Sequence, residues 1–289
     1  MEVKQSMTIQ LDNLTLGGSK YVLSPPIEGM LLPDIRTSSG LYSGRDGGFV
    51  SAQNYSPRQI VINGMIVGNS CQEYESLNCQ FLDTIKARND IDFTFTTNTG
   101  NKYFTQVNVL DLQYDVTNGR IGEYQLTLIA PDPYFYFIGD GTTGEGWISQ
   151  DLFRLVTGGY ETEYILPVVW DFGGTPTVIT NSTDINVYPV ITLTGIYTNP
   201  IIQNTTTGAL IKINATTASS DVLEIDMYNR TVTLNGGSIL ASVDASSSWW
   251  YLQPGDNSIS LTSDSGSDDD TVTIKYRIPY EGVFSGECS

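Results

Sequence analysis

The sequence predicts a mainly β protein with one packed helix and a second β domain. Thr, Val, Ile, Tyr, Gly and Asn, which favour strands and turns, are plentiful among its 289 residues. Short runs of alternating apolar and polar residues recur along most of the chain, and only one stretch has helical apolar spacing. A chain of this length most simply forms two domains, each able to bury a core.

The first predicted domain covers residues 1–137. It opens with alternating runs, "MTIQL" and "YVL", followed by a loop-rich stretch at 24–50 and a further strand signal, "RQIVINGMIVG". The helix comes next, because Ser70 and Glu73 form a capping-box pattern ahead of apolar residues spaced three or four apart. We expect its apolar stripe, Tyr74, Leu77, Phe81 and Ile85, to lie on a sheet.

Three further strand signals follow the helix. They are "DIDFTFTT", "KYFTQVNVLDLQYDV" and "GEYQLTLIA", and turn sequences separate them. Asn118-Gly119 in the second turn is suited to a type I′ hairpin. These strands are therefore predicted to form a meander packed by the helix, and "PDPYFYFIGDG" ends it with two prolines.

The rest of the chain divides at about residue 183. Residues 138–183 have an irregular pattern and are interpreted as a linker or packing segment, since Trp147, Trp170 and Phe172 are unsuited to a flexible tether. In residues 184–289, short strands recur about every 8–12 residues, which predicts a sandwich or jelly roll. No internal repeat is evident.

Charge and composition exclude several classes of function. The chain carries 14 Lys and Arg against 32 Asp and Glu, a net charge of −18, so binding of nucleic acid through a basic face is not expected. It contains no histidine, which excludes Ser-His-Asp and Cys-His nucleophile pairs and histidine-based metal sites within the chain. No signal peptide or membrane-spanning segment is recognisable.

The three cysteines indicate synthesis in a reducing compartment. Cys71 and Cys79 are separated by eight residues on the predicted helix, roughly 12 Å along its axis and too far apart for a disulfide. Cys288 lies near the C-terminus. We therefore expect synthesis in a reducing cytoplasm rather than secretion.

Three motifs suggest chemistry but have simpler interpretations. Glu224 and Asp226 could act as a glycosidase acid pair, although alternation along one strand explains them as an exposed polar face. "DSGSDDD" at 264–270 lacks the spacing of a calcium loop and fits a solvated hairpin tip. The glycines in "GRDGGF" precede a strand rather than a helix, so they fit turn and bulge positions, not a phosphate loop. No catalytic residue, cofactor or metal is predicted, and the protein is interpreted as a non-enzyme.

An aromatic cluster, "SSSWWYLQPGDN" at 246–257, is the remaining candidate site. If this segment is a strand, Trp249 and Tyr251 lie on one face and Trp250 on the other. We expect Trp249 and Tyr251 to serve the sandwich core and Trp250 to be the exposed contact for a saccharide or a partner.

Two long stretches together resemble a known family. The first runs from "RDGGFVSAQNYSPRQIVINGMIVG" through the helix to "YQLTLIAPDPYFY"; the second runs from "YPVITLTGIYTNPIIQN" through "EIDMYNRTVTLNGG" and "WWYLQPGDNSISL" to "TIKYR". In this order they resemble the distal tail protein family of long-tailed, non-contractile bacteriophages (siphophages). Residues 138–183 are covered least well.

The resemblance implies a fold, a function and partners. It implies a tail-tube-like N-terminal sandwich or barrel that forms a hexameric ring, and a galectin-like C-terminal sandwich. Such rings join the tail tube to the tail-tip hub of the baseplate, support receptor-binding proteins and let DNA pass. The expected location is the virion tail tip, without insertion into a membrane. The alternative is a carbohydrate-binding sandwich that contacts host cell-wall saccharide and so contributes to host attachment.

Overall fold

A computed structural model describes residues 7–86, 90–139, 142–152, 176–264 and 271–283. The described residues form two compact units, residues 7–146 with 279–283 and residues 147–278. The described part of the chain holds no helix with the length and hydropathy that crossing a membrane requires. The mainly β fold with one α-helix is confirmed.

The first unit contains one long sheet, one hairpin and the helix. Its strands before residue 139 are β1 (Thr8–Leu11), β2 (Leu14–Leu16), β3 (Tyr21–Glu28), β4 (Ile35–Leu41), β5 (Gly48–Tyr55), β6 (Arg58–Val67), β7 (Ile91–Thr96), β8 (Lys102–Asn118), β9 (Ile121–Ala130) and β10 (Phe135–Ile138). The helix α1 spans Cys71–Ile85. The sheet order is β2-β1-β7-β8-β9-β6-β3, and all of its pairs are antiparallel.

Strand β8 divides the long sheet into two layers. Its first part pairs with β7 as far as Val107, and from Asn108 onward it pairs with β9. The predicted meander consists of β7, β8 and β9. Strand β6, which precedes the helix in the sequence, pairs with the other side of β9. The layer formed by β3, β6, β9 and residues 108–118 of β8 is called the four-strand layer below.

Helix α1 begins and packs as its sequence predicts. The Ser70 hydroxyl accepts a hydrogen bond from the Glu73 backbone N–H at 3.1 Å, and the Glu73 carboxylate accepts one from the Asn69 N–H at 2.7 Å. Tyr74, Phe81 and Ile85 are buried, and the Phe81 ring lies 4.7 Å from that of Tyr124 on β9. The helix therefore covers one face of the four-strand layer.

The second unit is a β-sandwich. Its strands are β11 (Trp147–Leu152), β12 (Thr177–Asn181), β13 (Val190–Thr194), β14 (Ile201–Asn204), β15 (Ala209–Lys212), β16 (Val222–Asp226), β17 (Thr231–Leu234), β18 (Gly237–Ser238), β19 (Gly255–Thr262) and β20 (Thr271–Arg277). A six-stranded sheet, β11-β20-β13-β16-β17-β18, shares one core with a four-stranded sheet, β12-β19-β14-β15. A short 3-10 helix spans Leu240–Ser242.

Three strands extend the compact units beyond the predicted boundaries. Strands β11 and β12 fall within 138–183 but pair with β20 and β19 of the sandwich. The last strand, β21 (Pro279–Tyr280), pairs with β10 and so belongs to the first unit. The domain limits at 137 and 183 stay a prediction.

One local turn prediction was wrong in detail. Neither Asn118 nor Gly119 has a positive φ, so their turn is not type I′; instead, the Asn118 side chain accepts a hydrogen bond from the Arg120 N–H at 2.9 Å. The pair Asn235-Gly236, with φ values of 51° and 79°, has the positive φ that type I′ requires and joins β17 to β18. An asparagine side chain that accepts a hydrogen bond from a backbone N–H within the turn can thus favour a turn other than type I′.

Candidate functional site

The four-strand layer has an open face opposite the helix. Side chains on this face lie in register across all four strands, and one row consists of Ser24, Asn63, Gln125 and Gln113. The Gln125 amide donates to the Asn63 side-chain oxygen at 3.0 Å. An open groove of about 480 Å³ lies over this row. The central row of this face is polar, whereas Val22, Val61 and Met65 on the flanking rows are half-buried, so the face is mixed rather than a closed apolar core.

The open face is also acidic. Glu28, Asp111, Asp115 and Glu123 lie on the rows that flank the amide row, and Asp115 stands directly opposite Glu123. No Lys or Arg occupies a strand position on this face in the described chain. Like charges placed directly opposite each other across two strands destabilise a sheet. The four carboxylates give the open face a negative charge, although the Asp115–Glu123 pair destabilises the sheet.

Both edges of the four-strand layer are open for pairing. Among the described residues, β3 pairs only with β6, and β8 beyond Val107 pairs only with β9. Because each neighbouring pair is antiparallel, β3 and β8 run in opposite directions. A second copy could add its β3 beside β8 and continue the same antiparallel order. Residues 60–68 offer no free edge, because β6 has partners on both sides.

A long hairpin of exposed residues forms a second unpartnered feature. Residues 24–50 were expected to be loop-rich, but β4 pairs with β5 from Ile35–Tyr55 to Leu41–Gly48. Gly44 and Gly47 have positive φ in the connecting turn, which confirms the turn interpretation of the glycine cluster. Nearly every hairpin residue is exposed, including Leu41 and Val50. An isolated two-stranded hairpin is only marginally stable in water, so we expect another protein surface to cover this one.

Arg58, at the start of β6, is a buried cation that the sequence analysis missed. Its side chain is 1% exposed, and its guanidinium donates to four backbone carbonyls, those of Gly29, Leu31, Pro133 and Glu281. Burial lowers its pKa to about 10. Arg58 therefore joins three separate segments of the first unit, including the C-terminal strand segment. The available signal was its place in the alternation, which assigns it to the buried face of β6.

The aromatic cluster differs from its prediction. Trp250 is 2% exposed and lies in the sandwich core, so the expected exposure of this ring was wrong. The segment is not a strand, and only Leu252 makes a bridge, to Val187. Because Leu252 and Trp250 both enter the core, Tyr251 is turned outward. Whether Trp250 takes part in a saccharide or partner contact stays a prediction, and its burial does not favour one.

The other candidate residues have structural surroundings. The Asp226 carboxylate accepts hydrogen bonds from the N–H groups of Tyr228 and Asn229, at 2.9 and 2.8 Å, and from the Asn229 side chain at 2.8 Å, while Glu224 is exposed. Asp226 thus stabilises the β16–β17 turn. Asp264 accepts a hydrogen bond from Asn199 at 2.8 Å, and 265–270 lies outside the described residues.

In the described part of the chain, neither the cysteines nor a metal-binding group of side chains provides a further site. Cys71 and Cys79 are free and exposed, and Cys288 lies outside the described residues. Within those same ranges no group of three His, Cys, Asp or Glu side chains is placed to hold a metal ion. The distinctive surfaces are therefore the acidic open face, its two edges, the hairpin and an exposed tyrosine group.

Comparison with known proteins finds a family match for the C-terminal part of the chain. Residues 182–280 match the family described as siphovirus-type tail component, C-terminal domain. The chain carries a siphophage tail component domain. The predicted resemblance to distal tail proteins is thereby confirmed, through the family match over residues 182–280 and a shared fold. No curated protein matches the sequence.

Solved structures share the fold over nearly the whole chain. The Dit protein of phage SPP1, described as a paradigm of the hub adsorption apparatus in phages that infect Gram-positive bacteria, is 14% identical with a TM-score of 0.67. The match covers 95% of this chain and 99% of that one. A chain of the activated phage P2 baseplate with Ca is 12% identical with a TM-score of 0.50, covering 93% and 97%. At these identities the likeness shows the fold.

Proposed function

We propose that this tail protein forms a six-membered ring at the distal end of the tail, through which DNA passes. The observation that carries the proposal is the four-strand layer, which has a free edge on each side and strand directions that allow head-to-tail continuation. A head-to-tail interface closes into a ring when its rotation closes. Six copies follow from the family resemblance, and the ring connects the tail tube to the tail-tip hub and supports receptor-binding proteins.

The proposed seam joins β3 of one copy to residues 108–118 of β8 in the next. Pro25 and Pro26 carry no N–H donor, so pairing on the β3 side falls mainly to Val22–Ser24. On the β8 side, Leu110 and Val116 are exposed apolar residues. Backbone hydrogen bonds set the register of such a seam, and burial of these side chains adds to its stability. The exposed β4–β5 hairpin would be covered by a neighbouring copy or tail protein.

The open face would line the channel. Its carboxylates and neutral amides carry no positive charge at the strand positions, so it repels phosphate and lets DNA slide without being held. The function is mechanical, in keeping with a structural tail component, and it requires no catalytic group.

The mass of the purified chain tests the ring. Six copies of the 31.7 kDa chain give about 190 kDa, and we expect the mass to approach this value as concentration rises. Replacing Leu110 and Val116 by lysine should shift the assembly toward the monomer, since lysine on an edge opposes strand addition. The matched control, Leu240→Lys on the exposed surface of the sandwich, should assemble like the parent. If the variant with lysine at both Leu110 and Val116 assembles at the same concentration as the parent protein, the result would argue against this seam.

The channel assignment is tested by reversing charge on the open face. Virions that carry Asp115→Lys and Glu123→Lys should eject DNA more slowly, with the effect reduced at high salt. Asp184→Lys combined with Glu224→Lys, two exposed positions of the sandwich, changes the net charge equally and serves as the control for charge alone. Equal ejection rates in all three virions would remove the open face from the channel.

A further inference from the structure

Three tyrosines form a continuous exposed group on the sandwich. Tyr188 precedes β13, Tyr228 lies in the β16–β17 turn and Tyr251 follows the buried Trp250. The Tyr188 ring centroid lies 5.6 Å from that of Tyr228 and 5.7 Å from that of Tyr251, and both pairs are edge to face. Tyr228 is 73% exposed, Tyr188 39% and Tyr251 37%. This set is called the tyrosine patch.

The fold holds the tyrosine patch in place. The Tyr228 and Asn229 backbone N–H groups are fixed by the Asp226 carboxylate, and Met227 donates its N–H to the Pro189 carbonyl at 3.1 Å. The bridge between Val187 and Leu252 fixes the backbone beside Tyr188 and Tyr251. A pre-formed aromatic surface loses little conformational entropy when a ligand binds.

The size of the tyrosine patch argues for a small ligand. Together the three residues expose about one and a half tyrosine side chains, roughly 200–400 Å² when a large aromatic residue buries 150–250 Å². A stable protein interface needs about 800 Å² on each partner. The patch is therefore a complete site only for something much smaller than a protein surface.

The chemistry of the tyrosine patch narrows the ligand class. Each tyrosine offers an apolar ring and a polar hydroxyl, and the three hydroxyls have no hydrogen-bond partner in the described part of the chain. A pyranose ring presents the complementary pattern, an apolar C–H face rimmed by hydroxyls. Residues 147–278 contain 5 Lys and Arg against 14 Asp and Glu, which disfavours an anionic sugar.

We propose that the tyrosine patch binds a neutral oligosaccharide, with one or two pyranose rings packed on Tyr228 and Tyr188. This site replaces the one expected at Trp250, and it does not depend on ring formation. Tyr251 supports the Tyr188 ring from its edge and contributes its hydroxyl.

Saturation-transfer NMR on the full chain tests the site. The probes are neutral di- and trisaccharides built from glucose, galactose, rhamnose and N-acetylglucosamine, with a trigalacturonate as the anionic comparison. We expect at least one neutral probe to bind with a Kd of about 1 mM and the anionic one to bind more weakly. Tyr228→Ala should weaken binding about tenfold, whereas Tyr228→Phe, which keeps the ring, should weaken it less than about threefold.

Two controls separate stacking from damage to the fold. Val222→Ala removes an apolar side chain as exposed as Tyr188, at the other end of β16, and should leave binding unchanged. Thermal unfolding of Tyr188→Ala/Tyr228→Ala should match the parent, because both residues are at the surface. The proposal is overturned if no neutral probe binds at about 10 mM, or if binding survives in the double variant. Loss of a tail-protein contact in that variant, without saccharide binding by the parent, would identify a protein site instead.

Discussion

Replacing Arg58 by lysine tests how the first unit is held together. Lysine keeps the positive charge but presents one nitrogen in place of the planar guanidinium, which serves the carbonyls of Gly29, Leu31, Pro133 and Glu281 at once. We expect at least two of the four hydrogen bonds to be lost. At about 1.5–3 kcal/mol for each bond to a charged group, the free energy of unfolding should fall by about 3–6 kcal/mol.

The assay uses the uneven distribution of tryptophan. The tryptophans in the described part of the chain, Trp147, Trp249 and Trp250, all lie in the second unit, so their fluorescence reports on the sandwich rather than on the first unit. Circular dichroism detects the strands of both units. We expect the first-unit transition to fall by about 6–24 °C, at about 2–4 °C per kcal/mol, with a smaller change in tryptophan fluorescence.

The matched control is Arg36→Lys on β4. Arg36 is exposed, and its substitution should change stability by less than about 0.5 kcal/mol. Because burial lowers the pKa of Arg58 only to about 10, its charge is present in both folded and unfolded chains below pH 9, and the loss should not vary with pH from 6 to 8. A transition for Arg58→Lys that coincides with that of Arg36→Lys would refute the account of this residue.

Three further substitutions test a buried hydroxyl, a carboxylate at the start of the helix and a buried aromatic ring. The Tyr124 hydroxyl is buried without a hydrogen-bond partner in the described chain, so Tyr124→Phe should leave chemical-denaturation stability unchanged or raise it by about 1–2 kcal/mol; a clear loss would reveal an unseen partner. The hydrogen bond from Lys20 lowers the pKa of Glu73 below its ordinary value of 4.5, so its stabilisation is present above that pH and is lost as pH falls through the folded-state pKa. Glu73→Gln should therefore flatten the acid limb of a stability–pH curve, and an unchanged limb would contradict this. Trp250→Ala should cost about 3–5 kcal/mol in sandwich unfolding followed by circular dichroism, whereas an exposed Trp250 would predict almost no cost.

Local signals in the sequence were sufficient for most elements of the fold. Ser70 and Glu73 located the start of α1, and the apolar spacing identified Tyr74, Phe81 and Ile85 as its buried stripe. Alternation located the sandwich strands from β13 onward and the buried face of β6, but not β11 and β12. These features depend on residues close together in the chain, so their physical basis is visible in the sequence.

Features set by distant residues were not predictable in the same way. The face that Trp250 enters depends on the packing of Leu252 beside Val187, not on alternation alone. The tyrosine patch joins three residues separated by up to 63 positions, and no local pattern relates them. The free edges of the four-strand layer became apparent only once the strand order was known. The acidity of the chain was visible from composition, but the face that concentrates it was not.

Hydrogen–deuterium exchange of the chain in its monomeric and assembled states tests the proposed seam most directly. The account predicts that amides in Val22–Ser24 and in residues 108–118 gain protection together as the mass rises toward about 190 kDa. The edge strand β2, which lies outside the seam, should exchange at the same rate in both states. Assembly to six copies without protection of both edges, or a chain that stays monomeric even with its tail partners, would contradict the head-to-tail ring.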